Sequence, residues 1–211
     1  LYCDFGNEVN KNINSQVISY FKTLQQKKFK EITNLAPSYN KLIICFDLKV
    51  TNFNKLKEKI LKLKIIKELQ NDSKNIKVPV CFDDEFSLDL ERIEKQLGLR
   101  KKQIVEKSLN KKYFCYMTGF VAGMPFMGDI VPELRLNRLE TPRVKVPKGS
   151  IGITEQFCNI YTFESPGGWN IIGKTPLKIF NQSSEIETTL INPGDQITFY
   201  EISKKEFIKL A

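Results

Sequence analysis

The apolar positions of the first eighty residues switch between two periods. Val9, Ile13, Val17, Tyr20, Phe21 and Leu24 recur at helical spacing and predict a helix over Val9 to Lys28. Phe53, Leu56, Ile60, Leu63 and Ile66 do the same with lysines on the opposite side, which predicts an amphipathic helix over Phe53 to Leu69. Between them, Glu31 to Leu35 and Lys41 to Phe46 read as strands joined by the turn Pro37-Ser38-Tyr39-Asn40. Tyr2 to Phe5 and Lys77 to Phe82 are further strand candidates, and the apolar-free run Asn71 to Asn75 is a loop. The resulting order predicts an α+β N-terminal domain over residues 1–77.

Residues 78–211 have a different pattern. Two short helices are predicted within 87–109, one over Asp89 to Leu97 stopped by Gly98, the other over Lys101 to Leu109. From Tyr113 onward the helical period is absent. Short β-rich runs follow at Tyr113–Thr118, Ser150–Thr154, Cys158–Phe163, Trp169–Ile172, Leu177–Phe180 and Gln196–Ile202. Gly/Pro turns separate them, among them Asn192-Pro193-Gly194-Asp195 with Pro and Gly placed for a type II turn. This half is expected to be an all-β barrel or sandwich.

Composition narrows the chemistry. The chain of 211 residues has no histidine, which excludes a Ser-His-Asp triad, a Cys-His dyad, a His general base and an H-E-x-x-H zinc site. Its five cysteines form no C-x-x-C pair and lie in apolar runs, which suits buried packing in a reducing cytoplasm. The net charge of +9 is lopsided: residues 1–77 hold 15 lysines, no arginine and 7 acids. Without an arginine cluster or a stacking pattern of aromatics, this reads as solvated helix faces rather than a nucleic-acid surface. No run is long and apolar enough for a membrane span, and the first residues read as a strand rather than a signal peptide.

Three Gly/Pro-rich segments stand out: Gly119 to Gly128, Val146 to Gly152, and Ser165-Pro166-Gly167-Gly168-Trp169. The last admits two readings: a nest of backbone N–H groups for a carboxylate, phosphate or developing oxyanion, or a tight turn between strands. Trp169, the only tryptophan, is either a cover for a flat ligand or a core residue. Gly173-Lys174-Thr175 lacks the glycine spacing of a phosphate loop, although Lys174 could neutralise an anion. Arg138 and Arg143 are two of only five arginines beside 28 lysines; each is a planar fork for an anion or a tie for an irregular loop. Asp83, Asp84, Glu85 and Asp89 could hold Mg²⁺ or supply charge to a helix N-terminus.

Taken in order, these pieces resemble a known family. They are Phe5-Gly6, Ala36-Pro37-Ser38-Tyr39, Val78-Pro79-Val80-Cys81-Phe82, Glu85-Phe86 with Asp89-Leu90-Glu91, Gly119-Phe120, Gly123 and Pro125. Thr141-Pro142-Arg143, Val146-Pro147, Gly149-Ser150, Ser165 to Trp169, Ile172-Gly173 with Thr175-Pro176, and Pro193-Gly194-Asp195 complete the series. The chain is similar to the B component (PxpB) of the bacterial ATP-dependent 5-oxoprolinase, a family also called allophanate hydrolase subunit 1 and including the kinase inhibitor KipI. The resemblance implies a cyclophilin-like barrel for residues 78–211. It also implies a companion C component of related fold (KipA or allophanate hydrolase subunit 2), with the A component as a further partner. The implied activity is ring opening of 5-oxoproline to glutamate with ATP and Mg²⁺. Alternatives within the family are histidine-kinase inhibition and a carboxyltransferase or allophanate-hydrolase component. On this reading Arg143 and Lys174 are the catalytic candidates. Ser165, Gly167, Gly168, Trp169, Gly123 and Arg138 are the substrate- or anion-binding ones.

The chain departs from the family pattern in places. Glu106-Lys107-Ser108 stands in place of Leu-His-Ser, and Ala122-Gly123-Met124-Pro125-Phe126-Met127-Gly128-Asp129 in place of a Pro-Gly-Phe-Pro-Tyr-Leu-Gly-Gly run. Phe157-Cys158-Asn159 replaces Gln-Thr-Gly before Ile-Tyr, and Lys174 replaces an Arg.

Overall fold

The computed structural model describes residues 1–66, 73–184 and 188–211, and divides into two compact units, Leu1–Ser73 and Lys74–Ala211. The first unit contains β1 (Tyr2–Asp4), α1 (Lys11–Lys27), β2 (Ile32–Pro37), β3 (Lys41–Phe46) and α2 (Phe53–Leu61). Its strands form an antiparallel sheet in the order β1-β3-β2. α1 starts where Asn10 Oδ1 accepts the Ile13 N–H at 3.0 Å, the bond expected of an Asn N-cap. Its apolar stripe buries Val17 and Leu24 against Leu42, Ile44, Leu56 and Ile60.

The helix predicted to reach Leu69 ends eight residues earlier. Leu63 still packs on the core, but the Ile66 N–H donates to Thr23 Oγ1 at 3.2 Å instead of continuing the helical ladder. The remainder of that prediction, and Asn71 and Asp72 of the predicted loop, lie outside the described residues.

The second unit contains β4 (Asn75–Val80), α3 (Leu90–Leu97), α4 (Lys101–Leu109), β5 (Lys112–Thr118), β6 (Pro125–Gly128), β7 (Arg143–Val146) and β8 (Ser150–Thr154). There follow β9 (Phe157–Ile160), β10 (Ser165–Gly167), β11 (Asn170–Lys174), β12 (Gln196–Glu201) and α5 (Lys204–Leu210). Seven strands form one sheet in the order β11-β8-β9-β6-β5-β12-β4, while β7 and β10 pair separately. All neighbours are antiparallel except β12 and β4. The sheet is curled and open. β4 and β11 do not pair; just past β4, Cys81 makes an isolated bridge with Lys174, Cys81 N–H to Lys174 O at 2.8 Å and Lys174 N–H to Cys81 O at 3.0 Å. One face buries Val78, Val80, Cys115, Met127, Ile151, Ile153, Cys158, Ile160 and Ile197 with Leu90 and Ile93 of α3 and Ile104 of α4.

Three expectations change. The second unit is a mixed α+β half-barrel rather than all-β: it carries a parallel strand pair and a third helix. That helix, α5, lies where the sequence shows no helical period. Leu177–Phe180 is not a strand; the Leu177 N–H turns back to Thr175 Oγ1 at 3.2 Å, and only Phe180 pairs, in an isolated bridge with Thr189. Among the described residues no helix is long and apolar enough to cross a membrane.

Candidate functional site

The second face of the curled sheet carries the polar groups. Register sets Phe126, Asn159, Gly152 and Ile171 side by side across β6, β9, β8 and β11. Tyr161, two residues beyond Asn159, is buried with Met124, Val146 and Ile171. The β7–β10 pair adds a ladder in which Gly167 faces Arg143 and Ser165 faces Val146.

Tyr161 organises the site. A Cβ on Gly167 would fall inside the Tyr161 hydroxyl and 2.8 Å from its Cζ, so β10 reaches this phenol only as glycine. Gly168 is different: a Cβ there would stand 3.5 Å from Pro142 Cγ and 3.6 Å from both Nε and Nη2 of Arg138. The Arg138 guanidinium therefore lies along the backbone of Gly168, whose carbonyl accepts the Leu139 N–H at 2.7 Å. Burial pushes the Tyr161 phenol above its ordinary pKa. The neighbouring Asn159 amide, Arg138, the Trp169 N–H and Arg143 oppose that shift.

Arg143 is held by Asp89, which is 3% exposed. Asp89 Oδ1 accepts from Arg143 Nη2 at 2.7 Å and from Arg92 Nη2 at 3.4 Å, and Asp89 Oδ2 accepts the Ile171 N–H at 2.6 Å. This carboxylate ties the start of α3 to β11 and aims Arg143. Among the described residues, Arg143 Nη1 is buried and has no partner. Asn159 adjoins the phenol, yet its Nδ2 and Oδ1 meet no group in hydrogen-bonding geometry either.

The remaining candidates divide. Trp169 is 8% exposed and edge-on to Phe126 at 5.6 Å, so it is packed into the site wall and does not lie open as a cover. Ser165 is buried, its Oγ donating to Phe163 O at 3.4 Å. Gly123, at φ 65°, backs onto Phe180 in the loop between β5 and β6. Lys174 ends β11, four residues beyond Asn170, with Nζ 5.6 Å and 5.7 Å from the ring centroids of Phe86 and Phe207. The acidic cluster is dispersed: Asp84 pairs with Lys101 at 2.6 Å, Glu85 with Lys204 at 2.5 Å, and Asp89 with Arg143. Among the described residues no group of three metal-ligating side chains forms. Lys107 pairs with Glu133 at 2.9 Å. Burial pushes the thiols of Cys115 and Cys158 far up, which leaves them unreactive.

Sequence reasoning misses Tyr161, Asn159 and the role of Asp89. The one available signal is the position of Asn159 and Tyr161 in and beside the stretch that departs from the family pattern. A separate cleft of about 270 Å³ in the first unit, lined by Phe21, Leu24, Lys28, Phe29, Ile32 and Leu35 among others, holds no acid and no arginine.

Comparison with known proteins agrees with this architecture. The family model described as "Carboxyltransferase domain, subdomain C and D" matches residues 1–190. The B component of 5-oxoprolinase from Bacillus subtilis is 29% identical over 96% of this chain and 89% of its own length. That of Haemophilus influenzae is 31% identical over 87% and 85%. The crystal structure of TTHA0988 superposes with a TM-score of 0.85 at 26% identity, covering 96% of this chain; this chain spans 39% of that one. A buried arginine–aspartate tie, a glycine-built turn and a curled mixed sheet thus sit in a chain that belongs to the carboxyltransferase-domain family of the 5-oxoprolinase B component, KipI and allophanate hydrolase subunit 1.

Proposed function

We propose that the chain is one component of an ATP-dependent 5-oxoprolinase, opening 5-oxoproline to L-glutamate together with companion C and A components. The similarity to the B component of 5-oxoprolinase along nearly the whole chain supports the reaction. The observation that carries the site is the corner where Arg138 and Arg143 flank Gly167 and Gly168 around Tyr161. The substrate has a carboxylate and a lactam carbonyl. The exposed Arg138 suits the carboxylate. The unpartnered Nη1 of Arg143, held in place by Asp89, suits the charge that develops on the lactam oxygen as the carbonyl carbon is attacked. With water as the nucleophile, collapse of that adduct breaks the ring C–N bond, the nitrogen taking up a proton as it leaves, and gives the new carboxylate and the free amine of glutamate.

Gly173-Lys174-Thr175 does not form a phosphate loop. It lies at the end of a strand, Lys174 is bridged to Cys81, and its Nζ is over two rings.

The test is reconstitution with those companions and measurement of ATP-dependent glutamate formation. Gly168→Asp, which puts a carboxylate against Arg138, is expected to cut turnover by about 100-fold or more with assembly unchanged by size-exclusion chromatography. Undiminished turnover would remove this corner from the site. The family model's description favours a second reading, carboxyl transfer. A correctly assembled complex that forms no glutamate but accepts carboxyl groups from a carboxylated biotin carrier would select it.

A further inference from the structure

We propose that Asn159 is the amide-reading residue of this site, recognising a ring N–H beside a ring C=O, the edge that a lactam presents. The proposal rests on the ring-opening reading and adds the residue that decides which small acids are accepted.

Asn159 lies in the middle of β9 and is 0% exposed, with neither Oδ1 nor Nδ2 bonded. A buried amide in that condition is costly, and native folds retain few such groups without a use for them. The next strand but one shows the structural alternative. Asn170, equally buried, donates to Asn137 O and Ile153 O at 3.0 Å each, and its Oδ1 accepts from Arg92. Structure uses up every group of Asn170, whereas Asn159 has only the Tyr161 phenol beside it and no bond in full hydrogen-bonding geometry.

The surroundings give Asn159 a direction. Its cross-strand neighbour is Gly152, where a Cβ would sit 2.5 Å from Asn159 Oδ1, 3.0 Å from Trp169 Cβ and 3.2 Å from Tyr161 Cε2. Any other residue at 152 would fill the space the amide occupies. Arg143 Nη1 is the second unpartnered buried group, and the phenol of Tyr161 interacts with both residues. Together they offer one acceptor and two kinds of donor. A carboxamide pairs with a cis-amide through two antiparallel N–H···O bonds, Oδ1 accepting the ring N–H and Nδ2 donating to the ring C=O. An acid with no ring N–H would leave Oδ1 unpaired.

Entry to Asn159 must displace the wall that seals it. Trp169 is part of that wall and is the chain's only tryptophan, so its emission reports binding. The full chain is titrated with 5-oxoproline, 2-pyrrolidone and tetrahydrofuran-2-carboxylate, with calorimetry alongside, for the wild type and for Asn159→Leu. The wild type is expected to bind 5-oxoproline at least about tenfold more tightly than the ether acid. Asn159→Leu is expected to erase that preference and to melt at a higher temperature without ligand, since it removes two unpaired buried groups. A preference unchanged in Asn159→Leu, no saturable response to either lactam, or a lower melting temperature for the variant would overturn the proposal. If the lactam preference depends on Asn159 but the assembled complex forms no glutamate, the amide reader stands and the ring-opening reading falls. Glutamate formation with a preference indifferent to Asn159 leaves the ring-opening reading standing and removes the amide reader.

Discussion

Gly167 and Gly168 are adjacent, and their surroundings ask different things of them. Gly167 has no room for a side chain, because the buried Tyr161 ring occupies the place of its Cβ. Gly167→Ala is expected to cost about 1–3 kcal/mol of stability, measured by thermal or urea unfolding, and part of the loss should return in a Tyr161→Phe background. Gly168 has ordinary contact distance around it, so Gly168→Ala should stay within about 0.5 kcal/mol of wild type. Composition marks both glycines but cannot separate them, since the difference lies in a phenol beyond the end of β9 that only the folded chain brings onto Gly167. The same limit hides Asp89. Its partner Arg143 is 54 residues away, and nothing local in the acidic run distinguishes a carboxylate that will be buried from those that pair with surface lysines.

At the scale of elements, legibility follows how much of a segment's burial is written in its own period. β8 is legible to the residue, because all five of its positions are buried apolar or small ones and a glycine-containing turn precedes it. β10 is three residues, Ser-Pro-Gly, and gains its strand geometry from β7 alone; no apolar pattern marks it. α5 is too short for periodicity to show, but Ser203 and Glu206 form a capping box that sequence does carry. The Ser203 Oγ accepts the Glu206 N–H at 3.2 Å and Glu206 Oε2 accepts the Ser203 N–H at 2.8 Å. Ser203→Ala should destabilise α5 by about 1 kcal/mol, seen as faster amide exchange along Lys204–Leu210. Because α5 holds Phe207 on Phe86, with ring centroids 4.4 Å apart, the loss should extend to the rings under Lys174.

For the molecule as a whole, the carboxylates with displaced pKa values move in one direction. Asp4, Glu31, Asp84 and Glu91 are held below their ordinary pKa chiefly by lysine partners, Glu133 by its own backbone N–H and then Lys107, and Glu206 by the Ser203 backbone. A carboxyl whose pKa is lower in the fold than in the unfolded chain stabilises the fold above the ordinary carboxylate range, and that stability is lost as pH falls through the folded value. With no histidine to titrate, the melting temperature should be flat from about pH 5.5 to 8 and fall below about pH 4.5. Half-molar salt should flatten the acid limb, because these pairs are mostly solvent-exposed. A step in melting temperature between pH 6 and 7 would contradict this assignment. The strand order has one more consequence. β12 is wedged between β5 and β4, and its pairing with β4 joins residues about 120 positions apart, Asn75 with Gln196. During synthesis on the ribosome β4 emerges early and must wait, its inner edge unfilled, until β12 has cleared the exit tunnel. The first unit can finish folding during that interval. The second stays aggregation-prone throughout it, and the cell's chaperones have that whole stretch of translation in which to bind it.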